Sequence, residues 1–112
     1  MAIRNESAME VTEEEFNEIV SNGHKLVVID FFADWCMPCL MMAPIIEDLA
    51  GKMKDVKFVK INVDDNKTIA EKYDIRSIPT LIFFKDGKVI ERTIGGMDEE
   101  ILTEKIENLL KR

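Results

Sequence analysis

The two cysteines of this 112-residue chain lie in Trp35-Cys36-Met37-Pro38-Cys39, beside its only tryptophan. Two thiols at this spacing can form a disulfide, hold part of a metal site, or exchange electrons with another dithiol. A structural disulfide here would stabilise little, because it closes almost no loop. A zinc site needs four ligands and the chain has two cysteines and one histidine, so redox chemistry is favoured. Zinc or an iron–sulfur cluster shared between two chains is a less favoured alternative.

The segments on either side of the cysteines predict a buried strand followed by a helix. Residues 25–32 are almost continuously apolar apart from Asp30, as expected for a strand covered on both faces. The pattern from Cys36 to Met53 is helical, and Pro44 is expected to kink this helix. The apolar positions expected to lie on one side of it are Leu40, Ala43, Ile46 and Leu49.

This arrangement predicts different chemistry for the two thiols. Cys36 is expected at the first turn of the helix, where unpaired N–H groups and the helix dipole favour the thiolate, the nucleophile of disulfide exchange. Cys39, one turn further on, can attack the mixed disulfide and release the product. Pro38 fits the first turn, where its missing N–H costs nothing. We therefore expect Cys36 to be exposed and Cys39 to be protected.

The remaining segments predict a single domain at residues 9–112, preceded by a loosely ordered segment at residues 1–8. The other predicted strands are 9–11, 56–63, 80–84 and 89–94. The other predicted helices begin near Thr12, Asn66 and Asp98, and Ile101, Leu102, Ile106 and Leu109 of the last one are expected to face inward. Alternating strands and helices that end in a hairpin and a helix predict an α/β fold, a mixed central sheet with helices on both faces.

Composition and charge restrict the partners and the location. The chain has 22 acidic and 15 basic residues, a net charge of −7, so it lacks the basic excess that binding to nucleic acid or an anionic membrane requires. The longest apolar run is too short to cross a bilayer, and the N-terminal residues do not resemble a signal peptide. A cytoplasmic location is expected. In a reducing compartment, an isolated cysteine pair is more often catalytic or metal-binding than structural.

The chain also resembles the thioredoxin family over nearly its full length, from about Met9 onward. The matching stretches, in order, are VVIDFFADWCMPC, APIIEDLA, VKINVDDN, SIPTLIFFKDGK and TIGG. The resemblance implies a thioredoxin-like three-layer fold and a dithiol–disulfide oxidoreductase that reduces disulfides in protein substrates. It further implies a monomer without metal or organic cofactor, a separate electron donor of the thioredoxin-reductase type, and a part in electron transport and cell redox homeostasis.

The resemblance assigns roles to individual residues. Cys36 matches the attacking cysteine and Cys39 the resolving one. Asp30 matches the buried aspartate that relays protons to and from the resolving thiol, and Lys60 matches the lysine beside it. Pro79 matches the proline whose preceding peptide bond is cis. The residues assigned to substrate contact are Trp35, Met37, Pro38, Ile78, Pro79, Gly95 and Gly96.

Some of these assignments stay open on the residues alone. Asp30 could be a solvated strand end, Lys60 could lie on a solvent-exposed face of its strand, and Gly95-Gly96 could be an ordinary turn. Met37 replaces the family's usual glycine between the cysteines, which leaves the reduction potential undetermined. The alternative functions are an oxidase or isomerase, a glutaredoxin-like enzyme that uses glutathione, or a binding subunit whose thiols are not needed.

Overall fold

A computed structural model describes residues 8–23 and 26–112 of the chain. Within these residues the elements are β1 (Met9–Glu10), α1 (Glu13–Ser21), β2 (Leu26–Phe32), α2 (Met37–Lys52), β3 (Val56–Asn62), α3 (Lys67–Lys72), β4 (Thr80–Lys85), β5 (Lys88–Ile94) and α4 (Glu99–Leu110). No helix in these ranges is long and apolar enough to cross a membrane.

The five strands form one mixed sheet in the order β1-β3-β2-β4-β5. Strands β1 and β2 pair in parallel with β3, whereas β4 pairs antiparallel with both β2 and β5. Strand β2 therefore lies at the centre, between β3 and β4, and the residues that follow it emerge at the carboxyl end of the parallel part of the sheet. Open α/β sheets place their sites at this position.

Helices cover both faces of the sheet, which confirms the predicted three-layer fold. On one face, α2 and α4 contribute Met42, Ile46, Leu49, Leu102, Ile106 and Leu109 to a core with Val28, Phe58 and Phe83. On the other face, Phe16 of α1 and Ile69 of α3 pack with Ile29, Phe31, Val59 and Phe84. Alternate residues of β2 thus enter different cores, which explains why the strand is apolar on both sides.

Local sequence signals explain two of the element boundaries. Thr12 caps α1: its hydroxyl accepts a hydrogen bond from the Glu15 backbone, and the Glu15 carboxylate accepts one from the Thr12 N–H. Asp86 and Gly87 turn the chain between β4 and β5 with φ angles of 54° and 76°. Asp-Gly adopts this left-handed pair of conformations readily, so it sets the register of the hairpin.

Two helix faces differ from the prediction. Leu40 of α2 and Ile101 of α4 are exposed rather than inward-facing. In α2 the buried positions are Cys39, Met42, Ile46, Leu49 and Ala50. Near the start of the helix, this buried stripe lies one residue before the predicted one. The difference arises because positions spaced by three residues drift around a helix of 3.6 residues per turn, so the side that buries Ile46 and Leu49 carries Cys39 instead of Leu40 at its start.

The N-terminal prediction is only partly covered by the described residues. Ala8, assigned to the loosely ordered segment, is fully buried in the core, and its N–H donates to Oε1 of Glu47 in α2. The rest of that segment, residues 1–7, lies outside the described residues, as does Lys25 at the predicted start of β2.

Candidate active site

The two cysteines occupy the N-terminus of α2, just beyond the end of β2. Cys36 is the N-cap residue, and its Sγ accepts a hydrogen bond of 3.2 Å from the backbone N–H of Cys39. The two residues form a disulfide with a Cα–Cα distance of 5.2 Å. The chain folds this way because Pro38 fits the first turn, where no backbone donor is needed. A hydrogen-bond donor therefore already points at the sulfur of Cys36.

Exposure does not separate the two cysteines as the sequence predicted. Cys36 is 5% exposed and Cys39 is 3% exposed, so both are buried in this disulfide state. They pack with Ala33 and with the half-buried side chains of Phe32, Val63 and Ile78. The difference between the thiols lies in their place on the helix, since Cys36 precedes the first turn and Cys39 faces the sheet from within it.

Large apolar side chains surround the buried disulfide at the surface. Trp35 is 70% exposed and Met37 is 66% exposed, and Pro38 beside them is also exposed. Exposed apolar groups around a reactive bond are typical of a surface that contacts other proteins. Both residues were assigned to substrate contact, and the structure brings them together with the disulfide.

The indole of Trp35 is held in place by a residue that the sequence did not identify. Its Nε1 donates a hydrogen bond of 2.8 Å to Oδ2 of Asp64. The backbone N–H of Asp64 in turn donates to Oδ1 of the buried Asn62 at 2.9 Å. Asp64 follows β3 and Trp35 follows β2, so parallel pairing of these strands brings the two loops together. Acidic residues directly after the neighbouring parallel strand are the sequence signal that could have identified this contact.

The loop before β4 and the end of β5 complete the surroundings of the disulfide. The Ile78–Pro79 peptide bond is cis, and the Ile78 carbonyl oxygen lies 3.7 Å from Sγ of Cys36. The Pro79 carbonyl oxygen accepts a hydrogen bond of 2.8 Å from the N–H of Gly95. Gly95 has a φ angle of 92°, a backbone conformation that residues other than glycine rarely adopt. The structure thus brings Ile78 to Cys36 and joins Gly95 to the loop that carries Ile78 and Pro79, and Gly96 follows beside Met42 of α2.

Asp30 is buried beneath α2, and the pKa of its carboxyl group is raised. Its side chain lies on the same face of β2 as Leu26 and Val28, the face that α2 covers. Among the described residues, its Oδ1 has no hydrogen-bond partner. Burial raises the pKa of Asp30 from its ordinary value of 3.8 to about 7, and the positive charge of Lys60 lowers it only in part. A carboxylic acid with such a pKa can take up and release a proton near neutral pH.

Lys60 lies beside Asp30 on the neighbouring strand. The two residues are register partners in the parallel β2–β3 pair, so their side chains leave the sheet on the same face. Lys60 is half-buried, and its Nζ lies 6.0 Å from the ring centroid of Phe32. Asp30 is thus not a solvated strand end, and Lys60 is only partly exposed to water. In the part of the chain that the structure describes, no cluster of three or more possible metal ligands occurs.

Comparison with known proteins agrees with this geometry. The thioredoxin family model matches residues 7–108. A thioredoxin from Chlamydia pneumoniae is 47% identical over 93 residues, which are 83% of this chain and 89% of that protein. Thioredoxin-2 from Saccharomyces cerevisiae is 47% identical over 82 residues, 73% of this chain and 79% of its own length.

The fold comparison gives the same result over a longer stretch. The structure of a mutant thioredoxin from Halobacterium salinarum superimposes with a TM-score of 0.85 at 35% identity, covering 97% of this chain and 96% of that one. A family match over most of the sequence, the shared fold and a cysteine pair able to form a disulfide at the helix start lead to one conclusion. The chain belongs to the thioredoxin family and is a dithiol–disulfide oxidoreductase.

Proposed function

We propose that the protein reduces disulfide bonds in other proteins, with Cys36 as the attacking thiolate and Cys39 as the resolving thiol. The observation that supports this order most directly is the 3.2 Å contact between the Cys39 N–H and Sγ of Cys36. In the reduced protein the same donor stabilises a negative charge on that sulfur, and the dipole of α2 adds to it. Cys39 lies inside the first turn of α2, so it does not occupy the N-cap position that favours the thiolate.

The first step is attack of the Cys36 thiolate on one sulfur of the substrate disulfide. The substrate S–S bond breaks, a new S–S bond joins Cys36 to the substrate, and the other substrate sulfur leaves as a thiolate that takes a proton. In this proposal the substrate backbone approaches beside the carbonyl oxygen of Ile78, which lies 3.7 Å from Sγ of Cys36.

The second step is attack of Cys39 on Sγ of Cys36, which releases the reduced substrate and leaves the disulfide seen in the structure. Cys39 must lose its proton first. Asp30 is the proton acceptor in this proposal, because burial raises its pKa to about 7 and it therefore exchanges protons near neutral pH. Lys60 adjusts the proton affinity of Asp30 through its charge.

The substrate backbone lies across the surface beside the disulfide in this proposal. Trp35, Met37, Pro38 and Ile78 supply apolar contacts there, and Pro79 presents the loop against the disulfide. Gly95 and Gly96 leave room for a second backbone to approach. An exposed, mostly apolar surface suits substrates that are themselves folded or extended proteins.

The protein acts as a monomer in the cytoplasm in this proposal, within electron transport and cell redox homeostasis. A separate thioredoxin-reductase-type enzyme returns two electrons to the Cys36–Cys39 disulfide after each turnover. The net charge of −7 supports a partner whose docking surface is basic.

Reduction of insulin disulfides, followed as thiol release with dithiothreitol as the electron source, tests the proposal. The wild-type protein should accelerate the reaction, and a Cys36→Ser/Cys39→Ser variant with an unchanged circular dichroism spectrum should not. Full activity of that double variant in its cellular pathway would favour the binding-subunit alternative. Equilibration of Cys36–Cys39 with a glutathione buffer tests the direction. A disulfide that persists even in strongly reducing mixtures has the low reduction potential of a reductase, and one that forms only in oxidising mixtures supports an oxidase or isomerase.

A further inference from the structure

Methionine is concentrated beside the cysteines, and two of these methionines are open to solvent. Met37 is 66% exposed and Met41 is 71% exposed, whereas Met42 is 1% exposed. We propose that Met37 and Met41 are sites of reversible oxidation by hydrogen peroxide, and that their sulfoxides weaken the docking of protein substrates. This inference rests on the proposed function, since it concerns how protein substrates meet the same surface.

The two methionines occupy one side of the first turns of α2. They are four residues apart in the helix, so their side chains are neighbours on its surface. Met37 lies between the two cysteines in sequence and next to Trp35 on the exposed rim. No acidic or basic residue occurs in α2 before Glu47. The first turns of α2 are therefore apolar and uncharged in a protein that otherwise carries a large negative charge.

Met41 also forms one wall of an apolar groove of about 360 Å³. The residues that line the groove are Pro38, Met41, Met42, Ile45, Gly96, Met97 and a single charged residue, Asp98. Because Pro38 and Gly96 belong to the proposed substrate-contact surface, the groove continues that surface away from the disulfide. Its volume and lining suit one apolar side chain of a substrate protein, close in sequence to the cysteine under attack.

Exposure decides which sulfur atoms peroxide can reach. In the disulfide state neither cysteine has a thiolate, so the thioethers are the remaining oxidisable sulfurs. Met42 is protected by burial, and its Sδ already accepts a hydrogen bond of 3.4 Å from the N–H of Met97. Met9 is exposed as well, but it lies on the edge strand β1, outside both α2 and the groove, so it is a matched control.

The modification is a two-electron oxidation at sulfur. The thioether sulfur attacks one oxygen of hydrogen peroxide, an S–O bond forms, the O–O bond breaks and the second oxygen leaves as water. The sulfur is oxidised to the sulfoxide and the peroxide is reduced. Methionine sulfoxide reductases return the sulfoxide to the thioether, one enzyme for each epimer, with two electrons from a dithiol such as dithiothreitol and loss of the oxygen as water.

The sulfoxide changes the contact surface from apolar to polar. The oxygen is hydrated in the free protein and would lose that water when apolar substrate groups pack against Met37 beside the disulfide and fill the groove beside Met41. An oxygen that is buried without a hydrogen-bond donor opposes binding. A small aromatic disulfide reaches the cysteines without filling the groove, so its reduction should not depend on these two residues.

Peroxide treatment of the disulfide form, followed by removal of the peroxide with catalase, tests the proposal. Peptide mapping should find one added oxygen on Met37 and on Met41 before any on Met42. After reduction with dithiothreitol, kcat/KM for insulin should fall by roughly tenfold, the change that an unpaired buried oxygen produces, while reduction of a small aromatic disulfide changes by less than about twofold. Treatment with methionine sulfoxide reductases should restore the rate on insulin.

Two variants distinguish the two proposed sites from other oxidisable residues, each compared with its own untreated sample. Met37→Leu/Met41→Leu keeps apolar bulk without a thioether, and its rate on insulin should not respond to peroxide. Met9→Leu should respond like the wild type.

An equal loss in the double leucine variant would overturn the inference. So would an unchanged rate in wild-type protein that mapping shows to be oxidised, or the absence of oxygen at both sites. Failure of the untreated wild type to reduce insulin would instead contradict the proposed function, and mapping alone would then decide whether the two sites are oxidised.

Discussion

Trp35 and Asp64 are 29 positions apart in sequence and are joined by a hydrogen bond of 2.8 Å between the indole Nε1 and the carboxylate Oδ2. The indole is 70% exposed, so little packing restrains it. Asp64 is fixed in turn because its N–H donates to the buried Asn62 side chain. The contact therefore presents a large apolar ring beside the disulfide in one orientation, already ordered before a partner arrives.

Replacing Asp64 with alanine should loosen this indole. Because Trp35 is the only tryptophan, its fluorescence can be excited selectively, and the anisotropy of that emission should fall in Asp64→Ala. KM for a protein substrate should rise by roughly threefold, since ordering a free side chain on binding costs on the order of 0.5–1.5 kcal/mol. Asp64→Asn keeps an oxygen acceptor and should stay closer to the wild type. The neighbouring Asp65→Ala is the control, and an equal fall in anisotropy in that variant would count against the positioning role.

Replacing Asp30 with asparagine should stabilise the protein at neutral pH. The pKa of Asp30 is raised from 3.8 to about 7, so the folded state holds the proton more tightly than the unfolded state and ionisation weakens the fold. The loss of stability begins above pH 3.8 and is complete above about pH 7. Two pKa values about 3 apart correspond to about 4 kcal/mol at most, at about 1.4 kcal/mol for each unit. Denaturant unfolding of Asp30→Asn should show a gain at pH 7 that disappears near pH 4.

The same substitution should slow the enzyme. Asparagine cannot accept a proton, so release of the substrate from its mixed disulfide with Cys36 should become slower at pH 7. The exposed Asp34→Asn, close by in the loop after β2, is the matched control and should change neither quantity. An Asp30→Asn protein that is less stable than the wild type at pH 7, or that turns over insulin at the wild-type rate, would contradict both the burial argument and the proton-acceptor role.

Removing the charge of Lys60 should move the titration of Asp30 upward. The Lys60 ammonium is the group that opposes burial, so the pKa of Asp30 should rise above about 7 in Lys60→Gln. The carbon-13 shift of the Asp30 carboxyl group, followed against pH by NMR, measures this directly. Lys57→Gln on the other face of β3 is the control and should leave the titration in place. A lower pKa in Lys60→Gln would show that Lys60 does not act through its charge.

Local signals in the sequence predicted most of the fold. The capping box at Thr12, the Asp86-Gly87 turn and the apolar run before the cysteines each act over a few residues, and the structure forms the expected element at each. The position of Cys36 at the start of α2 was also predictable, because Pro38 marks the first turn. Helix faces were less reliable, since a shift of one residue at the start of α2 exchanges Leu40 for Cys39 on the buried side.

The contacts that complete the site depend on tertiary structure instead. The Asp64 carboxylate meets Trp35 only because β2 and β3 pair in parallel with matched ends, as the Val63 N–H to Phe32 carbonyl bond of 2.9 Å shows. The apolar groove exists because the chain after β5 returns past α2 at Gly96 and Met97. No spacing within a single element encodes either contact, whereas Asp30 stood out as the one carboxylate within a strand that is otherwise apolar.

Trapping of a substrate by a single-cysteine variant tests the central claim, the order in which the two thiols act. Cys39→Ser should attack a protein disulfide with Cys36 and then stop, because nothing resolves the mixed disulfide. Incubated with insulin, it should give a covalent adduct that dithiothreitol releases, and mass mapping should place the linkage at Cys36. Cys36→Ser, the matched control, should trap little, because Cys39 lies inside the first turn of α2 and faces the sheet, whereas Cys36 holds the N-cap position at which a backbone N–H stabilises the thiolate. Equal trapping by both variants, or an adduct found only on Cys39, would contradict the assignment of Cys36 as the attacking thiol.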